Sequence, residues 1–260
     1  MIVLLSPAKS LDFSRQSQNG LSQPRLLNDT EQLIKILSKK SSKKLQNLMH
    51  ISENIANENE KRYKSFKINH DISNSRPAIL AFDGDVYKGL DNSSLSEENL
   101  HFAQDHVRIL SGLYGLLRPM DLIQPYRLEM GTKLNNRRGK NLYKFWGNRI
   151  TQMLNDDLEK TNSNLVVNLA SNEYFSSINK KTLNGELLTI NFKEYKGDDL
   201  TFISFNAKKA RGLVTRYIID NQISNKLDIQ GFDTDRYSFS EEHSTVDKWI
   251  FVRNFIPVTA

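Results

Sequence analysis

Apolar residues recur along this chain in two rhythms, unbroken short runs and stripes of helical period. Ile2–Leu5 is an unbroken run ended by Ser6 and Pro7, which reads as a buried strand. Residues 78–82, bounded by Pro77 and Gly84, read the same way, as do 165–169, 187–192 and 200–205. Residues 248–253 fit an edge strand. Helical spacing fills 29–64 in two or three pieces: Leu33, Ile34 and Leu37, then Leu45, Leu48 and Met49, then Ile51 and Ile55. Lys39, Lys40, Lys43 and Lys44 interrupt them and read as a solvated junction. Residues 141–159 form an amphipathic pattern with Leu142, Phe145, Trp146, Ile150, Met153 and Leu154 inward, and 206–221 form another. The polar stretch 14–28 reads as a surface loop. Without a repeat, a long linker or a composition break, residues 1–260 are expected to form one α/β domain. It should have a central mixed sheet flanked by helices, with 29–64 packed on or beside the sheet.

Residues 95–131 carry the richest local pattern. Ser96 is a candidate N-cap, Glu97 and Glu98 suit the positive end of a helix dipole, and Leu95 and Leu100 can form a hydrophobic staple. Leu100, Ala103, Val107 and Leu110 then mark one face, which predicts a helix stopping at Gly112. Gly115 lets the chain turn again, and a short second helix is expected before Pro125. Such a helix, Gly-x-x-Gly hairpin and new helical start would group backbone N–H donors able to hold a phosphate. The plainer alternative is a hairpin that only turns a corner. Tyr114, at its tip, is the aromatic expected to be exposed.

Charge sharpens this picture. The chain of 260 residues has a formal charge of +6 and a pI near 9.3. Clustering says more than the total, because lysine is abundant throughout. Arg108, Arg118 and Arg127 flank the hairpin, and residues 130–155, which include Arg137, Arg138 and Lys140, contain no acid. In 206–221 the stripe of Ala210, Leu213, Val214, Tyr217 and Ile218 leaves Lys208, Lys209, Arg211 and Arg216 outside it. Gly212 is expected opposite that stripe, where it would admit a ligand or another backbone at a cost of about 1 kcal/mol relative to alanine. An ordinary solvated helix face is the alternative.

Several segments together resemble the YaaA peroxide-stress-response family over essentially the whole chain. They are Ser6-Pro-Ala-Lys9-Ser-Leu-Asp12, Phe82-Asp-Gly-Asp85-Val-Tyr87-Lys-Gly89 and the run from Leu110 to Gly131. Asn168-Leu-Ala-Ser171-Asn-Glu173-Tyr-Phe175 and Phe205-Asn-Ala-Lys-Lys-Ala-Arg211-Gly212 complete the set. The resemblance implies a bacterial cytoplasmic protein that protects against hydrogen peroxide and limits iron-linked damage. It also implies a basic cleft and a helix-hairpin-helix element, here 96–124, that binds DNA. Pro119 and Pro125 depart from that pattern by leaving the second helix little more than a turn.

Two functional readings follow. In the first, the chain binds double-stranded or branched DNA, largely without sequence preference. Its contacts would be Gly112, Tyr114, Gly115, Arg118, Arg127, Arg137, Arg138, Lys140, Lys208, Lys209, Arg211 and Arg216. In the second, Lys9, Asp85 and Glu173, each following a strand, form an enzyme site acting on a nucleotide or damaged nucleic acid. The alternative for those three is structural ion pairing and turn capping. No cofactor is expected. The absence of cysteine excludes thiol peroxide chemistry and cysteine-ligated clusters. His101 and His106, five apart, would point about 140° apart on a helix, so no metal site is expected and any effect on iron should be indirect. The opening MIVLLSPAKS lacks a basic leader and a long apolar run, so no membrane contact and a cytoplasmic location are the expectations, with a monomer assumed.

Overall fold

A computed structural model describes residues 1–15 and 19–255. Strand β1 (Ile2–Leu5) is completely buried and is followed by the short β2 (Ser10–Leu11). Helices α1 (Leu27–Leu37), α2 (Ser42–Met49) and α3 (Glu53–Ser65) come next, with the lysine cluster at the α1–α2 junction. Short elements follow: β3 (Arg76–Pro77), α4 (Ala78–Ala81), β4 (Phe82–Asp83) and α5 (Asp85–Leu90). Helix α6 (Glu97–His106) leads into β5 (Val107–Ser111), β6 (Gly115–Leu117) and β7 (Leu122–Ile123). Helices α7 (Leu142–Trp146) and α8 (Arg149–Lys160) precede β8 (Leu165–Asn168) and α9 (Asn172–Phe175). Then come β9 (Glu186–Lys196), β10 (Asp199–Thr201), α10 (Ser204–Asp220), β11 (Ser238–Phe239) and β12 (Lys248–Asn254).

The main sheet runs β11-β12-β9-β8-β1-β5-β6, with β10 also paired to β9. Strands β5, β1, β8, β9 and β12 are parallel, while β6, β10 and β11 pair antiparallel. Every residue of β1, β5 and β8 is buried, as expected of parallel strands covered on both faces. The expected single α/β domain with a mixed central sheet flanked by helices is therefore present. Among the described residues, no helix is long and apolar enough to cross a membrane.

The segment 95–131 departs from expectation. Ser96 does cap α6, accepting from the Asn99 N–H at 3.1 Å, but the helix stops at His106 rather than Gly112. Val107–Ser111 pairs with β1 in the register Val3 to Val107 and Leu5 to Ile109, and Gly115–Leu117 folds back on it. Residues 96–124 thus form a helix and a β-hairpin, not a helix-hairpin-helix. The edge of β1 demands a strand partner, and the β-branched Val107 and Ile109 suit one; that pairing overrides the local helical spacing.

Other boundaries shift for similar reasons. Residues 78–81 are as buried as expected but make a turn of helix, hydrogen bonded to the 119–121 loop through Ala78 and Ile79. The single helix expected over 141–159 breaks at Gly147, where φ is +54°. Residues 200–205 divide between the end of β10 and the start of α10. Strand β12 is parallel to β9 and lies inside β11. Of the polar stretch 14–28, residues 16–18 lie outside the described residues, and α1 already begins at Leu27.

Candidate active site at the carboxyl ends of β1 and β8

From β1 the sheet continues to β5 on one side and to β8 on the other, so the chain order reverses between β1 and β8. Connections leave the carboxyl ends of two such strands in different directions and open a crevice there. Its floor is Ser6 after β1 and Ser171 after β8. The Ser171 N–H donates to the Ser6 hydroxyl at 2.9 Å, and the buried Tyr87 hydroxyl donates to the Ser6 carbonyl at 3.0 Å. These bonds tie both strand ends to α5.

Side chains from five chain segments converge on a cavity of about 500 Å³ above this floor. Lys9 reaches in from the β1 end, its amine 3.8 Å from Glu129 Oε1. Arg127 donates to that same oxygen through Nε at 3.0 Å and Nη2 at 2.9 Å, whereas Glu129 Oε2 is buried without a hydrogen-bond partner. Glu173, in the first turn of α9, accepts from the Gly131 N–H at 2.9 Å. Asp85 opens α5. Lys208 and Arg211 enter from α10, which packs on α5 through a glycine contact: a Cβ on Gly212 would lie 2.5 Å from Leu90 N and 2.9 Å from the Gly89 carbonyl carbon.

Arg211 is the unusual member. Its side chain makes no ion pair or hydrogen bond among the described residues, and its Nε is buried without an acceptor. Burial, uncompensated by any carboxylate, pushes its pKa below the ordinary guanidinium value. Buried donors are normally paired, so the unpartnered Nε of this half-buried side chain marks a place for an anion. The cavity as a whole is not uniformly basic: Lys9, Lys88, Lys208 and Arg211 face Asp83, Asp85, Glu129 and Glu173. Among the described residues, no three His, Cys, Asp or Glu side chains gather closely enough to hold a metal ion.

The crevice therefore unites Lys9, Asp85 and Glu173 with Lys208 and Arg211, residues that the sequence divides between two readings. Of the remaining candidates, Arg127 adjoins the crevice through Glu129 and the others lie elsewhere. Arg118 is paired with Asp121 at 2.9 Å, Arg127 with Glu129, Arg138 with Asp29 at 2.6 Å and Lys209 with Asp235 at 3.4 Å. Arg216 binds Asp220 and Ser94, both at 2.6 Å. Arg137 borders a separate hollow beside Lys35 and Lys39, and Lys140 is exposed. Gly112, Tyr114 and Gly115 are all buried. Tyr114 is not an exposed tip: it accepts from the Gln124 N–H at 3.0 Å and lies 3.1 Å from His70 Nε2. Gly112 packs against the 128–129 backbone and its carbonyl accepts from Trp146 Nε1 at 3.1 Å, so it offers no open face to a phosphate. Gly212 is not on an open face, but it admits another backbone, one of its two expected roles, since α5 covers its face of α10. Sequence reasoning missed Ser6, Ser171, Tyr87 and Glu129; the available signal was a serine closing a buried, mostly apolar run, directly after β1 for Ser6 and after Leu169 and Ala170 for Ser171.

A family model described as peroxide stress protein YaaA matches residues 1–243. UPF0246 proteins of Saccharophagus degradans and Idiomarina loihiensis are each 48% identical over 97% of this chain, covering 99% and 98% of their own lengths. A UPF0246 protein of Alteromonas mediterranea is likewise 48% identical over 98% of both chains. With matches spanning nearly the whole length, this chain belongs to the peroxide stress protein YaaA family.

Proposed function

We propose that the protein serves the peroxide stress response through the β1–β8 crevice, which binds a phosphate-bearing ligand of nucleotide size and carries out proton-transfer chemistry on it. The observation that carries this reading is the partly buried, unpaired guanidinium of Arg211, whose Nε has no acceptor, in a cavity with carboxylates and lysines on its other walls. Phosphate oxygens would take the place of the missing partner of Arg211, with Lys208 beside it on the same helix. Lys9, Asp85 and Glu173 would then stand around the rest of the ligand as acid and base groups. Tyr87 and the paired serines hold the floor rigid and leave these side chains as the variable part.

A second reading takes DNA as the ligand. It is favoured by the exposure of Lys208, Arg137 and Lys140, none of which has a carboxylate partner among the described residues. Here the phosphate backbone of double-stranded or branched DNA would run past Lys208 and Arg211, limiting oxidative and iron-linked damage by association with DNA. The loss of the helix-hairpin-helix donors and the pairing of most arginines weaken it.

The deciding experiment titrates a nucleoside triphosphate and a DNA duplex at two salt concentrations with wild type, Arg211→Ala and Lys9→Ala, alongside rescue of a peroxide-sensitive deletion strain. The crevice reading expects Arg211→Ala to lose nucleotide affinity on the order of tenfold or more. It expects Lys9→Ala to bind but fail to rescue. The DNA reading expects salt-dependent duplex binding whose log–log slope becomes shallower by about one unit when Arg211 is removed, with Lys9 dispensable. Rescue by both variants with unaltered binding would refute both.

A further inference from the structure

The amino ends of the parallel strands carry a second hollow, at the opposite edge of the sheet from the crevice. It has a volume of about 300 Å³ and lies where β5 begins and α8 ends. Arg25, Arg108, Arg118 and Lys160 line it. One buried carboxylate serves two of these guanidiniums: Arg25 grips Asp157 through both terminal nitrogens at 2.6 and 2.9 Å, and Arg108 Nε donates to it at 2.7 Å. Arg118 is partnered by Asp121. Lys160 is exposed at the rim with no carboxylate among the described residues, and Asp105 is the other acid on the wall. His106 also borders the hollow, its Nδ1 2.9 Å from the Met1 carbonyl, and burial favours its neutral form.

Cations thus outnumber acids in a partly enclosed space. The Arg108 guanidinium is held below its ordinary pKa by burial first, and the nearby charges of Arg25 and Arg118 add to that. Its bonds to Asp157 do not fully restore it. An anion entering the hollow would relieve this crowding, and guanidinium forks match tetrahedral oxyanions in shape. Arg25 Nε, buried without an acceptor, is a further unsatisfied donor in the same cluster.

We propose that this hollow is a second, separate binding site for a small polyvalent anion bearing a phosphate or sulfate group. It joins three segments distant in sequence, namely the Arg25 loop, the end of α8 and the Arg118 turn, so occupancy would tie them together. The site does not depend on the proposed function of the crevice.

The test is calorimetric titration with pyrophosphate and sulfate at fixed ionic strength, using wild type, Lys160→Ala, Lys160→Glu and Arg211→Ala, with folding checked by circular dichroism. Lys160 is exposed, so its variants are expected to fold. Lys160→Ala should weaken one binding event by about three- to tenfold, and Lys160→Glu should abolish it. That event should persist in Arg211→Ala, which removes only the crevice event. A single event lost with Lys160→Glu and kept in Arg211→Ala would uphold this site while refuting the crevice. Binding that survives in Lys160→Glu and vanishes in Arg211→Ala would overturn this site alone. So would wild type that binds neither anion, or duplex DNA binding lost in Lys160→Glu without any pyrophosphate binding, which would assign these cations to a nucleic-acid backbone.

Discussion

Substituting Gly212 with alanine pits two effects of opposite sign against each other. By helix propensity alone, alanine in the interior of α10 should stabilise the protein by about 1 kcal/mol. The packing argues otherwise. A Cβ at this position would lie 2.5 Å from Leu90 N and 2.9 Å from the Gly89 carbonyl carbon, and nearer still to the Val86 carbonyl oxygen. These are backbone atoms, so no side chain can rotate out of the way. Ordinary contact between such atoms needs roughly 3.5 Å, so α5 and α10 must separate by about 1 Å. Overpacking of this kind costs about 1–3 kcal/mol, and a rigid backbone contact belongs at the upper end. The net expectation is a loss of about 2 kcal/mol, or roughly 4–8 °C in Tm for a domain of this size. Calorimetry or a urea titration would measure it. Because α5 carries Asp85 and Tyr87 into the crevice, ligand affinity should fall as well. A Tm equal to or above that of wild type would refute the close packing of these helices and, with it, the rigid crevice wall.

Further expectations follow from buried charges and hydrogen bonds. Asp157→Asn leaves Arg25 and Arg108 facing a neutral amide and should cost about 3–5 kcal/mol, seen as a lower urea midpoint; an unchanged midpoint would refute the role of the buried pair. Burial alone would raise the Asp157 pKa, but bonds from Arg25 and Arg108 outweigh it and hold it below the ordinary value. Its contribution is therefore complete above about pH 3.9, the unfolded value, and lost as pH falls through the lower folded value. His70 and His106 are shifted down, chiefly by burial, so the unfolded chain binds more protons below about pH 6.5. Stability should decline from there as pH falls, by up to about 1.4 kcal/mol per pH unit for each histidine, and a flat profile between pH 7 and 5 would contradict their burial. Tyr114→Phe strands the Gln124 N–H and should cost about 1–3 kcal/mol while leaving any DNA affinity intact; loss of DNA affinity in a folded Tyr114→Phe protein would contradict the buried position of this ring.

Much of the sheet was legible because continuous apolar runs have few other solutions: Ile2–Leu5 and Leu165–Asn168 are buried on both faces as their composition requires. The same logic put Lys9 and Glu173 beyond the ends of β1 and β8, whereas Asp85 follows a turn of helix and the two-residue β4 rather than the expected buried strand. Illegible were the long-range arginine pairings. Asp29 lies far along the chain from Arg138, and Asp157 from Arg25, so no local window reports that these cations are spent.

What the sequence determined by itself was the class of each long element, the α/β character of the domain and the absence of cysteine chemistry. Each of these rests on residue type or on spacing between near neighbours. Tertiary structure alone decided that 107–117 is a hairpin, because an exposed edge of β1 outweighs a locally plausible helix. It also decided that Gly212 faces a backbone, and that Arg211 lies half-buried and unpaired beside Lys9, Asp85 and Glu173. Pairing and desolvation depend on which distant surfaces meet, and the free energy of that meeting is not written in any short stretch of chain.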